Sequence, residues 1–149
     1  MTGYGRPARR DEQGSAVVEF VTLGVLLLLP LVYLVMTLAR VQAGSFAVSQ
    51  AAREAGRAFV TAPSGSDASG RARAAASVAF GDFRFEDVGR LDLACDGSPC
   101  LRPDGRVRAT ATVRVPLPLV PTFLDGALPT SIPVSASHIE TVDRFRTLP

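Results

Sequence analysis

Hydrophobic and polar residues follow three different rhythms along this chain. From Phe20 to Ala39 twenty residues pass without a charge, and six of the first twelve are leucines. As a helix rising about 1.5 Å per residue this stretch reaches roughly 30 Å, the thickness of a bilayer's hydrocarbon core. It predicts one transmembrane helix over 15–40, because a chain of 149 residues is too short to wrap so apolar a helix inside a soluble core. Past Arg40 the period is three to four: Val41, Gly44, Val48, Ala52, Ala55 and Phe59 form one stripe, and Gln42, Ser45, Ser49, Arg53 and Arg57 the opposite one. Pro63 and Gly65 stop it. The pattern predicts one helix from about Ser15 to Ala62, roughly 70 Å long, with Pro30 kinking it and residues 41–62 forming a helical stalk.

The remainder, 63–149, reads as a small α+β domain. Asp67 to Phe80 is a second helix, with Ser66 or Asp67 placed to cap its first amides and Gly81 suited to its end. From Phe83 the period becomes two: Phe83 and Phe85, then Leu91, Leu93 and Cys95, alternate with polar residues and predict strands interrupted near Gly89. The clearest strand is 106–115. Val107, Ala109, Ala111, Val113 and Val115 fall on one face, and Arg106, Arg108, Thr110, Thr112 and Arg114 on the other, so one face is buried and one wet. A loop with Pro116, Pro118, Pro121 and Pro129 follows, too interrupted for a central strand. Ser131 to Val142 alternates again and is expected to pair antiparallel with 106–115, its Pro133 marking an edge.

Charge narrows the function. The net charge is +2 and all sixteen basic residues are arginines, scattered rather than massed on a face, so no nucleic-acid partner is expected. Arg6, Arg9 and Arg10 precede the span and suit a cytosolic flank, although Arg40, Arg53 and Arg57 on the other side weaken the count as a guide to orientation. Glu19 stands one residue before the apolar run. An acid inside a membrane helix costs about 2.5 to 3.5 kcal/mol at its centre and less near its ends, so Glu19 calls for a cation, and the span contains none.

The run Gly14, Ser15, Ala16, Val17, Val18, Glu19, Phe20 resembles the type IV prepilin signal. There a membrane peptidase cuts after a glycine and leaves a glutamate fifth and a phenylalanine sixth in the mature chain. Cleavage between Gly14 and Ser15 would remove residues 1–14 as a leader peptide and create an α-amino group. The resemblance implies that Glu19 meets such an amine on its own or a neighbouring subunit. The stretch Gln50-Ala-Ala-Arg-Glu-Ala-Gly-Arg57 is similar to the Ala-Ala-Arg-Glu-Gly-Ala-Arg run that TadE-like proteins carry after their span, with Ala55 and Gly56 in reversed order. The resemblance covers about the first 60 residues, and the related TadF-like proteins share the outline. It implies a pilin-like minor pseudopilin of a Tad-type pilus, trimmed by prepilin peptidase, packed among pilin and pseudopilin subunits and served by a pilus assembly platform. Its amino terminus would lie in the cytosol and its carboxyl-terminal domain outside. A secretory signal cut after Val41-Gln42-Ala43, or a signal-anchored binding or adhesion protein, is the rival reading.

Cys95 and Cys100 enclose Asp96-Gly97-Ser98-Pro99, a turn that can bring two thiols together between strands. A disulfide is the natural inference, with free thiols or a metal-bound pair as alternatives. Zinc wants four ligands and His138 is the one histidine. No nucleophile elbow, phosphate loop or metal cluster is legible, so neither enzyme activity nor a cofactor is expected. His138 reads as a strand residue beside Glu140 or Asp143.

Overall fold

The structure is a computed structural model and describes residues 12–118 and 130–147, with side chains from Ser15 onward. The chain is α+β, pilin-like in layout: α1 (Glu12–Val60), α2 (Gly65–Asp82), β1 (Arg90–Cys95), β2 (Arg106–Pro116) and β3 (Ser131–Thr141). It divides into two units, one ending at Met36 and the other beginning at Thr37.

The first unit is the apolar part of α1. Its large side chains stand in the open, Phe20 78% and Leu27 69% exposed, and the helix continues through Pro30. One helix of this chain is therefore long and apolar enough to cross a membrane, and none of its apolar window is buried against protein. A surface of leucine and valine on every side has no stable place in water, so the helix suggests a membrane anchor.

In the second unit the three strands form an antiparallel meander in the order β1-β2-β3. The central strand buries Val107, Ala109, Ala111, Val113 and Val115 and turns Arg106, Arg108 and Arg114 outward, as the alternation requires. Leu93 lies opposite Ala109, and Val113 opposite Val134, so the apolar positions of all three strands share one face. β3 is an edge strand, and its Pro133, opposite Arg114, sits where a missing amide is tolerated.

Both helices cover that apolar face. α1 buries Ala47, Val48, Ala51, Ala52, Ala55 and Phe59, and α2 buries Ala68, Ala72, Ala76, Ala79 and Phe80. Alanine and glycine let α1 approach closely. A Cβ on Gly44 would fall 2.5 Å from Val115 Cγ2, and one on Gly56 would fall 2.9 Å from Glu140 Cγ. These two contacts set the direction of the helix, from the carboxyl end of β2 at Gly44 to the carboxyl half of β3 at Gly56. The segment expected as a stalk is thus helical to Val60, and its apolar stripe belongs to the core.

Several boundaries differ from the sequence reading. α2 starts at Gly65 rather than Asp67, because Ser64 is the cap: its Oγ accepts from the Asp67 amide at 3.3 Å and bonds the Asp67 carboxylate at 2.7 Å. The helix passes through Gly81 to Asp82, and the Phe83 amide closes it on the Phe80 carbonyl at 3.2 Å. Phe83 and Phe85 are not in a strand. The Phe85 amide bonds the Phe80 carbonyl at 2.9 Å and its ring is buried, so helix capping overrides the alternation that suggested β structure. Pro116 belongs to the end of β2, whereas Pro121 and Pro129 lie outside the described residues, as do Arg6, Arg9 and Arg10.

Candidate functional site

The residues singled out for processing lie in the first turns of α1 as described. Gly14 and Ser15 are already helical, and Glu19 and Phe20 follow one turn later with their side chains exposed. Ser15 and Glu19 are four apart, so they share one face of the helix. A terminal amine on Ser15 would therefore stand about one turn from the Glu19 carboxylate of the same chain. Among the described residues Glu19 has no ion pair. A peptidase that needs extended backbone at the Gly14–Ser15 bond must open this turn, and glycine is among the residues that hold a helix least well, by about 1 kcal/mol against alanine.

Beyond Phe20 the apolar surface offers no polar side chain except short hydroxyls and Tyr33 until Arg40. Glu19 is therefore the acid that borders the segment. In hydrocarbon a carboxylate is stabilised by a desolvated cation, and the helix itself carries none until Arg40.

At the other end of the second unit Cys95 and Cys100 form a disulfide, with Cα atoms 5.4 Å apart. The bridge closes the start of the β1–β2 connection, which polar contacts also hold. The Asp96 amide donates to the Arg106 carbonyl at 3.0 Å, the Arg106 amide to Asp96 Oδ1 at 3.0 Å, and Arg102 Nη2 pairs with the same oxygen at 3.0 Å. Both cysteines are thus consumed in structure.

His138 Nε2 lies 3.2 Å from Glu140 Oε1. The two side chains share the face of β3 that meets α1 at Gly56, half-buried, which fits a packed strand pair. Among the described residues no three His, Cys, Asp or Glu side chains gather as metal ligands.

Arg146 carries almost no sequence signal of its role. Its Nη1 donates to the Val60 carbonyl at 2.7 Å, and its Nη2 reaches the carbonyls of Ala62 and Pro63. It therefore satisfies the orphan acceptors at the end of α1. Only a basic residue near the carboxyl terminus hinted at it, and sequence spacing cannot bring residue 146 to residue 60. Beside it Phe59, Pro99, Cys100 and Leu101 line a pocket of about 450 Å³. Of its polar lining, Ser64 bonds Asp67 and both terminal nitrogens of Arg146 bond the end of α1, while Arg146 Nε is buried without a partner.

No family model, curated protein or solved structure matches this chain.

Proposed function

We propose that this chain is a minor pseudopilin of the TadE-like kind, a membrane-anchored subunit in the assembly of a Tad-type pilus. The observation that carries the reading is the order Gly14, Ser15, Glu19, Phe20 leading directly into an exposed apolar helix, which then continues into the core of a small α+β unit. Prepilin peptidase would cut between Gly14 and Ser15 on the cytosolic side. The trimmed helix stays in the membrane, and Glu19 takes as counter-ion the new amine of its own or a neighbouring subunit. Because a carboxylate is costly to leave unpaired in hydrocarbon, pairing with a neighbour's amine favours helices already packed with pilin or pseudopilin partners over lone ones.

One further observation supports this reading over secretion with loss of the apolar segment. Val41 and Ala43 pack against the core, so a cut after Ala43 would sever α1 beside Gly44, where it touches Val115. The disulfide fits a domain outside the cytosol, where bridges persist, on either reading.

The amino-terminal residue of the mature chain tests the proposal. Terminal sequencing or intact mass of protein purified from membranes should give Ser15. A terminus at Gly44 indicates ordinary secretion, and one at Met1 or Thr2 a signal-anchored module.

A further inference from the structure

The sheet has a second face, turned away from both helices, and its composition is uneven. β1 presents Arg90, Asp92 and Ala94 there, β2 presents Arg106, Arg108 and Arg114, and β3 presents Ser135, Ser137 and Ile139. In register, Arg90 lies opposite Thr112, Arg108 opposite Ala94 and Ile139, and Arg114 opposite Pro133, so each of these arginines faces an uncharged neighbour across the ladder. None of Arg90, Arg106, Arg108 and Arg114 is in an ion pair among the described residues; the acids beside them are Asp92 and, just past β1, Asp96, which is paired with Arg102. Arg106, Arg108 and Arg114, exposed on β2 and without ion pairs, suit an acidic protein surface, with Arg90 at the edge of the same face.

The same unit carries such a surface. The turn between α2 and β1 exposes Asp82, Glu86 and Asp87 around Val88, itself 40% exposed, with Arg84 as its one cation. We propose that the arginine face of one copy docks the acidic 82–88 turn of a second copy. The two patches adjoin at a cleft lined by Glu86, Arg90 and Asp92 but are not the same surface, so the contact is heterologous: a pair of copies keeps one free arginine face and one free acidic turn, and association is open-ended unless a rotation closes it. Confinement of copies to one membrane by α1 raises their effective concentration, which a contact built from exposed charges needs. The inference rests on the membrane anchor and not on cleavage at Gly14.

Cross-linking of the full chain in lipid vesicles tests it. Cys95 and Cys100 are bonded to each other, so introduced thiols are the free ones. Two differently tagged chains, one Val88→Cys and one Ser135→Cys, should give a mixed disulfide dimer several-fold more abundant than Val78→Cys with Ser135→Cys, and the yield should fall at high salt. Arg108→Glu with Arg114→Glu in the Ser135→Cys chain should abolish the excess. Adding Asp82→Arg, Glu86→Arg and Asp87→Arg to the Val88→Cys chain should restore it. A yield no higher than the Val78 control, or one indifferent to charge reversal, overturns the contact and leaves the pilus reading standing. A chain that does not float with the vesicles overturns the membrane anchor and this contact together.

Discussion

Arg146 and Val60 are 86 residues apart in sequence, yet the Arg146 guanidinium donates to the Val60 carbonyl at 2.7 Å. The last turn of any α-helix leaves carbonyls without intrahelical partners. α1 ends beside Pro63, which brings no amide, so a side chain from elsewhere must serve. Arg146 does so through both terminal nitrogens, while Arg144, two residues earlier, pairs with Asp104 at 3.1 Å. The carboxyl-terminal segment thereby ties the helix to the sheet.

Arg146→Met keeps much of the apolar stem and removes the donors. The cost should be about 1 to 3 kcal/mol, the usual penalty for stranding half-buried acceptors. Thermal unfolding of the full chain in detergent should show it, at about 4 to 8 °C for each kcal/mol in a domain of this size. Arg144→Met removes an exposed ion pair and should change stability by less than about 1 kcal/mol. Equal effects from the two substitutions would mean that Arg146 acts as a surface charge.

The disulfide should be a modest staple. Cys95 and Cys100 are five residues apart, and closing so short a loop removes little freedom from the unfolded chain. The loop-entropy relation gives about 2 kcal/mol. The Asp96 contacts with Arg106 and Arg102 hold the same turn independently, so a Cys95→Ser, Cys100→Ser chain should fold and unfold at a lower temperature. Failure to fold at all, read from loss of helix and sheet signal in circular dichroism, would show the bridge to be essential.

Two glycines of α1 should answer differently to the same substitution. At Gly44 an added methyl meets Val115 Cγ2 at 2.5 Å, a rigid β-branched group at the core, so Gly44→Ala should cost about 1 to 3 kcal/mol as overpacking. At Gly56 the neighbour is Glu140 Cγ at 2.9 Å, part of a flexible side chain that can swing aside. There the helix gains about 1 kcal/mol from alanine over glycine, and the net change should be near zero. Unfolding midpoints of the two variants give the comparison, and a larger loss at Gly56 would place the tight contact on β3 instead of β2.

Much of this fold is legible in the sequence because each main element has a single dominant rhythm. The twenty uncharged residues of α1, the stripe from Val41 to Phe59 and the alternation of β2 each leave one way to separate apolar from polar atoms. The reading failed where two local signals competed. Phe83 and Phe85 alternate as a strand would, but the amides of both residues are taken by the Phe80 carbonyl at the end of α2. Ser64, Ser66 and Asp67 can all cap a helix, and only the bond from the Asp67 amide to Ser64 Oγ decides among them. The Arg146 clamp was out of reach for another reason: tertiary contacts between residues of ordinary type carry no periodic signature. The acidic turn and the arginine face are each visible as residues, but their status as two exposed patches depends on the register of three strands.

Glu19 offers the sharpest test of the proposed function, because insertion and assembly should respond to it in opposite directions. Replacing it with alanine removes a charge from the edge of the span, so Glu19→Ala should enter the membrane at least as readily as the original chain. Flotation with vesicles or resistance to carbonate extraction measures that step. Assembly should suffer, since the proposed attraction between the carboxylate and a neighbouring subunit's Ser15 amine is gone. Surface filaments counted by electron microscopy should fall sharply, while Glu19→Asp, which keeps the charge on a shorter arm, should retain part of the yield. Gly14→Leu should leave the longer precursor uncut and embedded, separating processing from pairing. Normal filament numbers in Glu19→Ala, with the protein inserted and trimmed to Ser15, would show that neither trimming nor assembly needs the acid, and the pairing mechanism would have to be given up.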